Sequence, residues 1–229
     1  MLSYQNADGG FGHGLEPDLL TPESTGICLE TALYYFDLIG YIPEKTADKI
    51  LNWLDKKVSS KGYIIHPPVN MHSYPYQPWW ANRDDHRIFS ILAFLIKLNI
   101  KIPSSLLDKT LGFADQFRSI DMPQLYDYPV FLFSLFCAEF SRKEEYLIKL
   151  SENIRKFNQS QAEHFILLSR YWSYFRDFFD ASEQEKEVRR FIDSIGEKGL
   201  IPNAYPELPW WNPIATLDGL ILIKKWGYL

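Results

Sequence analysis

The sequence is most informative first in what it lacks. It has only two cysteines, Cys28 and Cys137, each inside an apolar stretch, so no disulfide framework is implied and two buried free thiols are expected. It has no cluster of Lys or Arg, and the net charge is −5, which argues against a nucleic-acid partner. It has no basic segment followed by an apolar run at its start, and no run of apolar residues long enough to cross a bilayer. The cytoplasm is the default compartment on that reading, with no membrane span. No stretch alternates polar and apolar residues long enough to build a sheet. No G-x-S-x-G elbow is present, neither cysteine lies in a polar loop, and the glycines after Asp8 are not followed by the Lys-Ser/Thr of a phosphate loop. A serine or cysteine hydrolase and a phosphate-loop enzyme are therefore set aside.

What is present is helical. Thr25 or Ser24 can cap a helix running to Ile39, closed by Gly40. Pro43 and Pro103 suit the first turns of two further helices. Helices are expected over 83–98, 129–140, 142–157, 161–179 and 183–195, the last capped by Ser182 with Glu185 completing a capping box. A final helix follows Pro213. The aromatic fraction is high, 16% of residues, which suits either ring-filled packing between helices or an aromatic-lined cavity.

An internal repeat organises these helices. Three turns share a shape: Gly9-Gly10-Phe11-Gly12, Lys61-Gly62-Tyr63-Ile64 and Lys198-Gly199-Leu200-Ile201, with Gly10 aligned on Gly62. A proline-bearing loop and an apolar helix follow each one. The second and third loops also share a triplet, Pro78-Trp79-Trp80 and Pro209-Trp210-Trp211. Asp121 to Pro129 reads as a degenerate copy without the glycine. A single helix pair cannot bury its apolar face alone, so stacked pairs are expected, as an open solenoid or a closed ring.

The first turn resembles a known repeat. Gln5-Asn6-Ala7-Asp8-Gly9-Gly10-Phe11-Gly12 is similar to the glutamine-aromatic repeat of squalene and hopene cyclases and of protein prenyltransferase β subunits, with Phe11 in place of the usual Trp. Together with Leu15-Glu16-Pro17-Asp18 it resembles bacterial prenyltransferase/squalene-cyclase-like repeat proteins. The resemblance implies an all-α fold, an α/α toroid or incomplete toroid of repeated helix hairpins. It also implies one domain over 1–229, lacking an N-terminal helix pair, because relatives of this kind carry helices ahead of the motif. The Asp-x-Asp-Asp proton donor of the cyclases is absent. The Asp, Cys and His zinc set of the prenyltransferases has no counterpart, since Asp84-Asp85-His86 are adjacent rather than dispersed.

If the repeats are built alike, the loops before their inner helices lie at one end. These loops hold the candidate catalytic residues Glu16, Asp18, Asp84, Asp85 and Glu207. They also hold the candidate ligand-binding residues His13, His66, His72, Trp79, Trp80, Arg83, Tyr205, Trp210 and Trp211. Convergent polar groups beside aromatic walls are the profile of a ligand pocket. Each residue has a purely structural role open to it as well. The acids at helix starts can favour the helix dipole, and the Trp pairs can wedge neighbouring repeats together through indole bonds to backbone. His66 and His72 match no strong zinc spacing, His164 fits a core position, and no cofactor or metal is called for.

Three functions remain open on the sequence: a cyclase-like toroid protein with a ligand pocket at its loop end, a carbohydrate-active enzyme using paired carboxylates, and a non-catalytic binding or scaffold protein. The implied partner is a small molecule, an isoprenoid or a glycan. Nothing in the sequence sets the oligomeric state.

Overall fold

The computed structural model describes residues 1–202 and 205–229. Among the described residues there are eight α-helices and no strand, so the fold is all-α. The helices are α1 (Gly26–Ile39), α2 (Glu44–Lys57), α3 (Arg87–Lys97), α4 (Ser104–Asp115), α5 (Tyr128–Phe136), α6 (Lys143–Ser160), α7 (Ala181–Asp193) and α8 (Trp211–Lys225). No helix among the described residues is long and apolar enough to cross a membrane.

Local chemistry explains most boundaries. The Thr25 side chain accepts the Cys28 amide at 3.2 Å at the start of α1, and Gly40 closes that helix at φ 73°. Pro43 and Pro103 each stand immediately before the first residue of a helix. Two expectations need correction. The stretch 161–179 is not one helix but three 3-10 segments at 162–164, 166–168 and 172–178, broken where Phe165 takes φ 47°. Its rings serve different partners: Phe165 packs edge-on to Phe191, while Trp172 meets Phe157. One regular helix would not aim them so, and aromatic residues support helix weakly. The capping box of α7 is Asp180 with Glu183, not Ser182 with Glu185, and the earlier start brings Glu183 within 2.7 Å of Arg155.

The three turns share one backbone. In each, a glycine with positive φ closes the turn: Gly9 at 100°, Gly62 at 88° and Gly199 at 73°. In each, its amide donates to the carbonyl three residues back, and that residue's amide donates to the carbonyl four residues on. The paired bonds are Gly9 to Asn6 and Asn6 to Gly10, Gly62 to Ser59 and Ser59 to Tyr63, and Gly199 to Gly196 and Gly196 to Leu200. The counterpart of Gly62 is therefore Gly9 rather than Gly10. Left-handed backbone is open to glycine at little steric cost, which identifies the equivalent position.

The chain forms two compact units, Met1–Ile120 with Pro129–Leu147, and Asp121–Tyr128 with Ile148–Leu229. In the first, α1 packs along α3. The turn at Gly9 seats on α2 and the turn at Gly62 on α4. A methyl group on either glycine would lie 2.1 Å from the Lys49 carbonyl oxygen or 2.2 Å from that of Lys109. Several aromatic residues here pack in the core: Phe89 stacks on Phe113 and Phe133 with centroids 5.2 and 5.6 Å away, and meets Phe117 edge-on. Both cysteines are buried and free. In the second unit, Phe165, Leu168, Val188, Phe191, Ile201, Leu222 and Ile223 form the core. Gly219 in α8 lets the Phe191 ring lie directly on the helix backbone, since a Cβ there would come within 2.3 Å of that ring.

Candidate functional site

In the first unit the first two loops are zipped together. The Leu20 amide donates to the Pro75 carbonyl at 2.9 Å and the Gln77 amide to the Asp18 carbonyl at 3.0 Å. This pairing brings several of the sequence candidates together. The Trp80 indole N–H donates to Asp18 Oδ1 at 2.8 Å, and His66 Nε2 donates to the Trp80 carbonyl at the same distance. The indole thus bonds a carboxylate of the preceding repeat's loop, not backbone as expected. Burial pushes the His66 imidazolium down in pKa, against the opposing pull of the Trp80 carbonyl and Asp84.

The nominated acids of this unit are each engaged. Glu16 accepts from the Thr31 hydroxyl at 3.1 Å and Asp18 from Trp80; both carboxylates are buried. Asp84 accepts Arg87 Nε at 2.8 Å, and Asp85 pairs with the exposed Arg83 at 2.7 Å. Arg83 in turn lies over the Tyr63 ring at 4.9 Å. His72 bonds the Tyr76 hydroxyl, and Trp79 is exposed.

Beneath the loops lies a charged cluster that sequence reasoning missed. Arg87 of α3 also donates to Glu30 of α1 at 2.7 Å, and Ser90 donates to the same carboxylate. Glu30 is fully buried and Arg87 nearly so. Burial pushes the Asp84 carboxyl up, but the charges of Arg87 and His86, with the Arg87 hydrogen bond, outweigh it and hold Asp84 below the usual carboxylate range. One arginine thus holds two carboxylates in place, which locks α1, α3 and the loop leading into α3 together. The signal was available: Glu30 is the one charge within the apolar run from Ile27 to Phe36.

One open cleft lies beside the first turn. A cleft of about 370 Å³ is lined by Asn6, Asp8, His13, Glu23, Ser24 and Lys57, with Pro22 and Pro68 as walls. Its polar groups are already ordered. His13 Nε2 bonds Asn6 Oδ1 at 2.7 Å, Ser24 donates to Asp8 Oδ1 at 2.7 Å, and the Gly10 amide donates to the same oxygen at 3.0 Å. The Glu23 carboxylate accepts both the amide and the side chain of Asn70, tying the second loop to the cleft rim. Of the sequence candidates only His13 lines it. Asn6 and Asp8 belong to the turn whose glycine spacing identified the repeat, and their side chains are the part that the spacing left unused. His13 itself is held at φ 59° beside Gly12, where a Cβ would come within 2.3 Å of the Glu23 carbonyl oxygen.

In the second unit, Tyr205 bonds the Tyr126 hydroxyl at 2.8 Å, Glu207 and Trp210 are exposed, and Arg170 lies over the Trp211 ring at 5.8 Å. Arg170 also pairs with the buried Asp218 at 3.0 Å, and burial raises the Asp218 carboxyl despite that partner. The two Pro-Trp-Trp segments behave alike: the Trp80 and Trp211 amides each donate three residues back, to Gln77 and Leu208, and the first Trp of each pair is exposed. Among the described residues no three of His, Cys, Asp and Glu are grouped to hold a metal ion.

Compared with protein-family models, with curated proteins and with solved structures, the chain matches none.

Proposed function

We propose that this chain is a prenyltransferase/squalene-cyclase-like repeat protein of the toroid kind that binds a ligand without transforming it, and that the ligand is hydroxyl-rich, a glycan rather than an isoprenoid. The cleft beside the first turn is the observation that carries this reading. It combines donors and acceptors from Asn6, Asp8, His13, Glu23 and Ser24, and the exposed Lys57 ammonium, with apolar surface from two prolines, an alanine and side-chain stems. Hydroxyl groups, which both donate and accept, can add to the bonds these groups already make while sugar carbons cover the prolines, whereas an isoprenoid chain would take water from Asp8, Glu23 and Lys57 and return no hydrogen bond.

Two further observations support binding over catalysis. Glu16, Asp18, Asp84 and Asp85 each hold a structural partner, so a pair of carboxylates free to act as acid and base is not offered by the residues nominated for it. Much of the aromatic content that suggested an isoprenoid cavity packs between helices, as the Phe89, Phe113 and Phe133 stack illustrates, and none of it lines the cleft.

Calorimetric titration with a panel of neutral oligosaccharides and, separately, with isoprenoid diphosphates tests the proposal. At least one oligosaccharide is expected to bind saturably, and Lys57→Ala to weaken it about tenfold or more, the loss of one charge-assisted hydrogen bond. Saturable binding of the diphosphate alone, turnover of the sugar, or oligosaccharide binding indifferent to Lys57 and His13 would overturn it.

A further inference from the structure

The last helix differs from its counterparts in what it leaves uncovered. α1 and α3 each follow a glycine turn and a loop, and most of their residues are buried. α8 follows the third turn and is less apolar than either, and one line along it faces solvent. Trp210, Leu217 and Lys224 are exposed, and Ile214 and Ile221 are half-buried between them. These five recur at spacings of four, three, four and three residues, which is the seam of a paired helix. The third turn differs in the same sense. The glycines of the first two turns press on the backbone of α2 and α4, whereas Gly199 has nothing within 4 Å of the equivalent Cβ position.

Charge is graded along this seam. Glu207 is exposed just ahead of the helix, and Lys224 and Lys225 are exposed in its last turn. A copy of the seam laid parallel would set Glu207 against Glu207 and lysine against lysine. An antiparallel copy centred on Leu217 does the opposite. Trp210 and Lys224 are separated by roughly 20 Å along the axis, so each copy's lysines come level with the other copy's Trp210 and Glu207. The ammonium groups then meet an indole face and a carboxylate, and the aliphatic residues meet each other. A surface that complements itself under a two-fold rotation is what an isologous interface requires.

We propose that α8 is a self-association helix, through which the seam Trp210, Ile214, Leu217, Ile221 and Lys224 packs antiparallel on the same seam of a second copy of this chain. The contact is small, so the dimer is a reversible one of micromolar strength. Sedimentation velocity of the whole chain over a concentration series tests it. The expected results are a monomer–dimer equilibrium, its loss in Leu217→Glu with unchanged circular dichroism, and a dimer weakened about tenfold by Glu207→Lys through the two symmetry-related contacts. Adding Lys224→Glu and Lys225→Glu to Glu207→Lys should restore the dimer, since the swap keeps the complementarity. A monomer at every concentration overturns the proposal, as does a dimer indifferent to Leu217→Glu or a charge swap that fails to restore association. A chain that stays monomeric alone and pairs through α8 only with an added foreign helix overturns it too.

Discussion

Replacing Gly62 by alanine asks whether the turn that marks each repeat is a packing element or only a reversal of the chain. Two costs add there. Gly62 has φ 88°, and a side chain in left-handed backbone costs about 1–2 kcal/mol. The new methyl would also stand 2.2 Å from the Lys109 carbonyl oxygen and 3.0 Å from Phe113 Cβ. The turn and α4 must then part by roughly 1 Å to regain ordinary contact, and overpacking of that kind costs about 1–3 kcal/mol. The sum is about 2–5 kcal/mol. Gly40 provides the control within the same unit, because it has φ 73° with nothing within 4 Å of its Cβ position, so Gly40→Ala bears the first cost alone. Urea unfolding followed by far-ultraviolet circular dichroism measures both. Gly62→Ala should lose about 1–3 kcal/mol more than Gly40→Ala, the overpacking share of the cost. Equal losses would refute the seating of the turn on α4.

Four other outcomes follow from the same geometry. Arg87→Met strands two buried carboxylates, Glu30 and Asp84, and should destabilise by about 3–5 kcal/mol in the same unfolding assay. Asp84 is held below the usual carboxylate range, so its contribution is complete above roughly pH 4, the value in the unfolded chain, and falls as the pH drops toward the folded value; Asp84→Asn should flatten that acid limb. His66 is depressed instead, so the unfolded chain takes its proton first and stability declines as the pH falls below about 6.5, a slope that His66→Gln should reduce in a pH series of unfolding midpoints. Burial lifts the Cys28 thiol to about 12, and a thiol reagent at mildly alkaline pH should modify it only at the rate of opening, measurable by mass spectrometry of timed samples.

The all-α fold was legible because helix signals are local. Thr25, Gly40, Pro43 and Pro103 act on their own neighbours, and each stands where its chemistry requires. The repeat was legible as spacing, but its register slipped by one, since adjacent Gly9 and Gly10 are indistinguishable until the positive φ of Gly9 is seen. Long-range demands were not legible. The stretch 161–179 has the apolar content of a buried helix, yet its rings answer to partners on two different helices, Phe157 of α6 and Phe191 of α7. The candidate acids illustrate the same limit: Glu16 folds back onto Thr31 of its own inner helix, and Asp18 finds Trp80 because the loops of successive repeats lie together. Glu30 was overlooked because charge at a helix position reads as surface unless the partner, Arg87, is known to approach it. The cleft was visible only as His13, since Asp8 and Lys57 are ordinary residues until folding sets them around one space.

Backbone amide chemical shifts recorded while an oligosaccharide is titrated into the chain test the binding account most directly. The account predicts saturable shifts confined to the neighbourhood of Asn6, Asp8, His13, Ser24 and Lys57, and absent in Lys57→Ala at the same sugar concentration. Saturable shifts centred elsewhere, or none across the oligosaccharide panel, would contradict it.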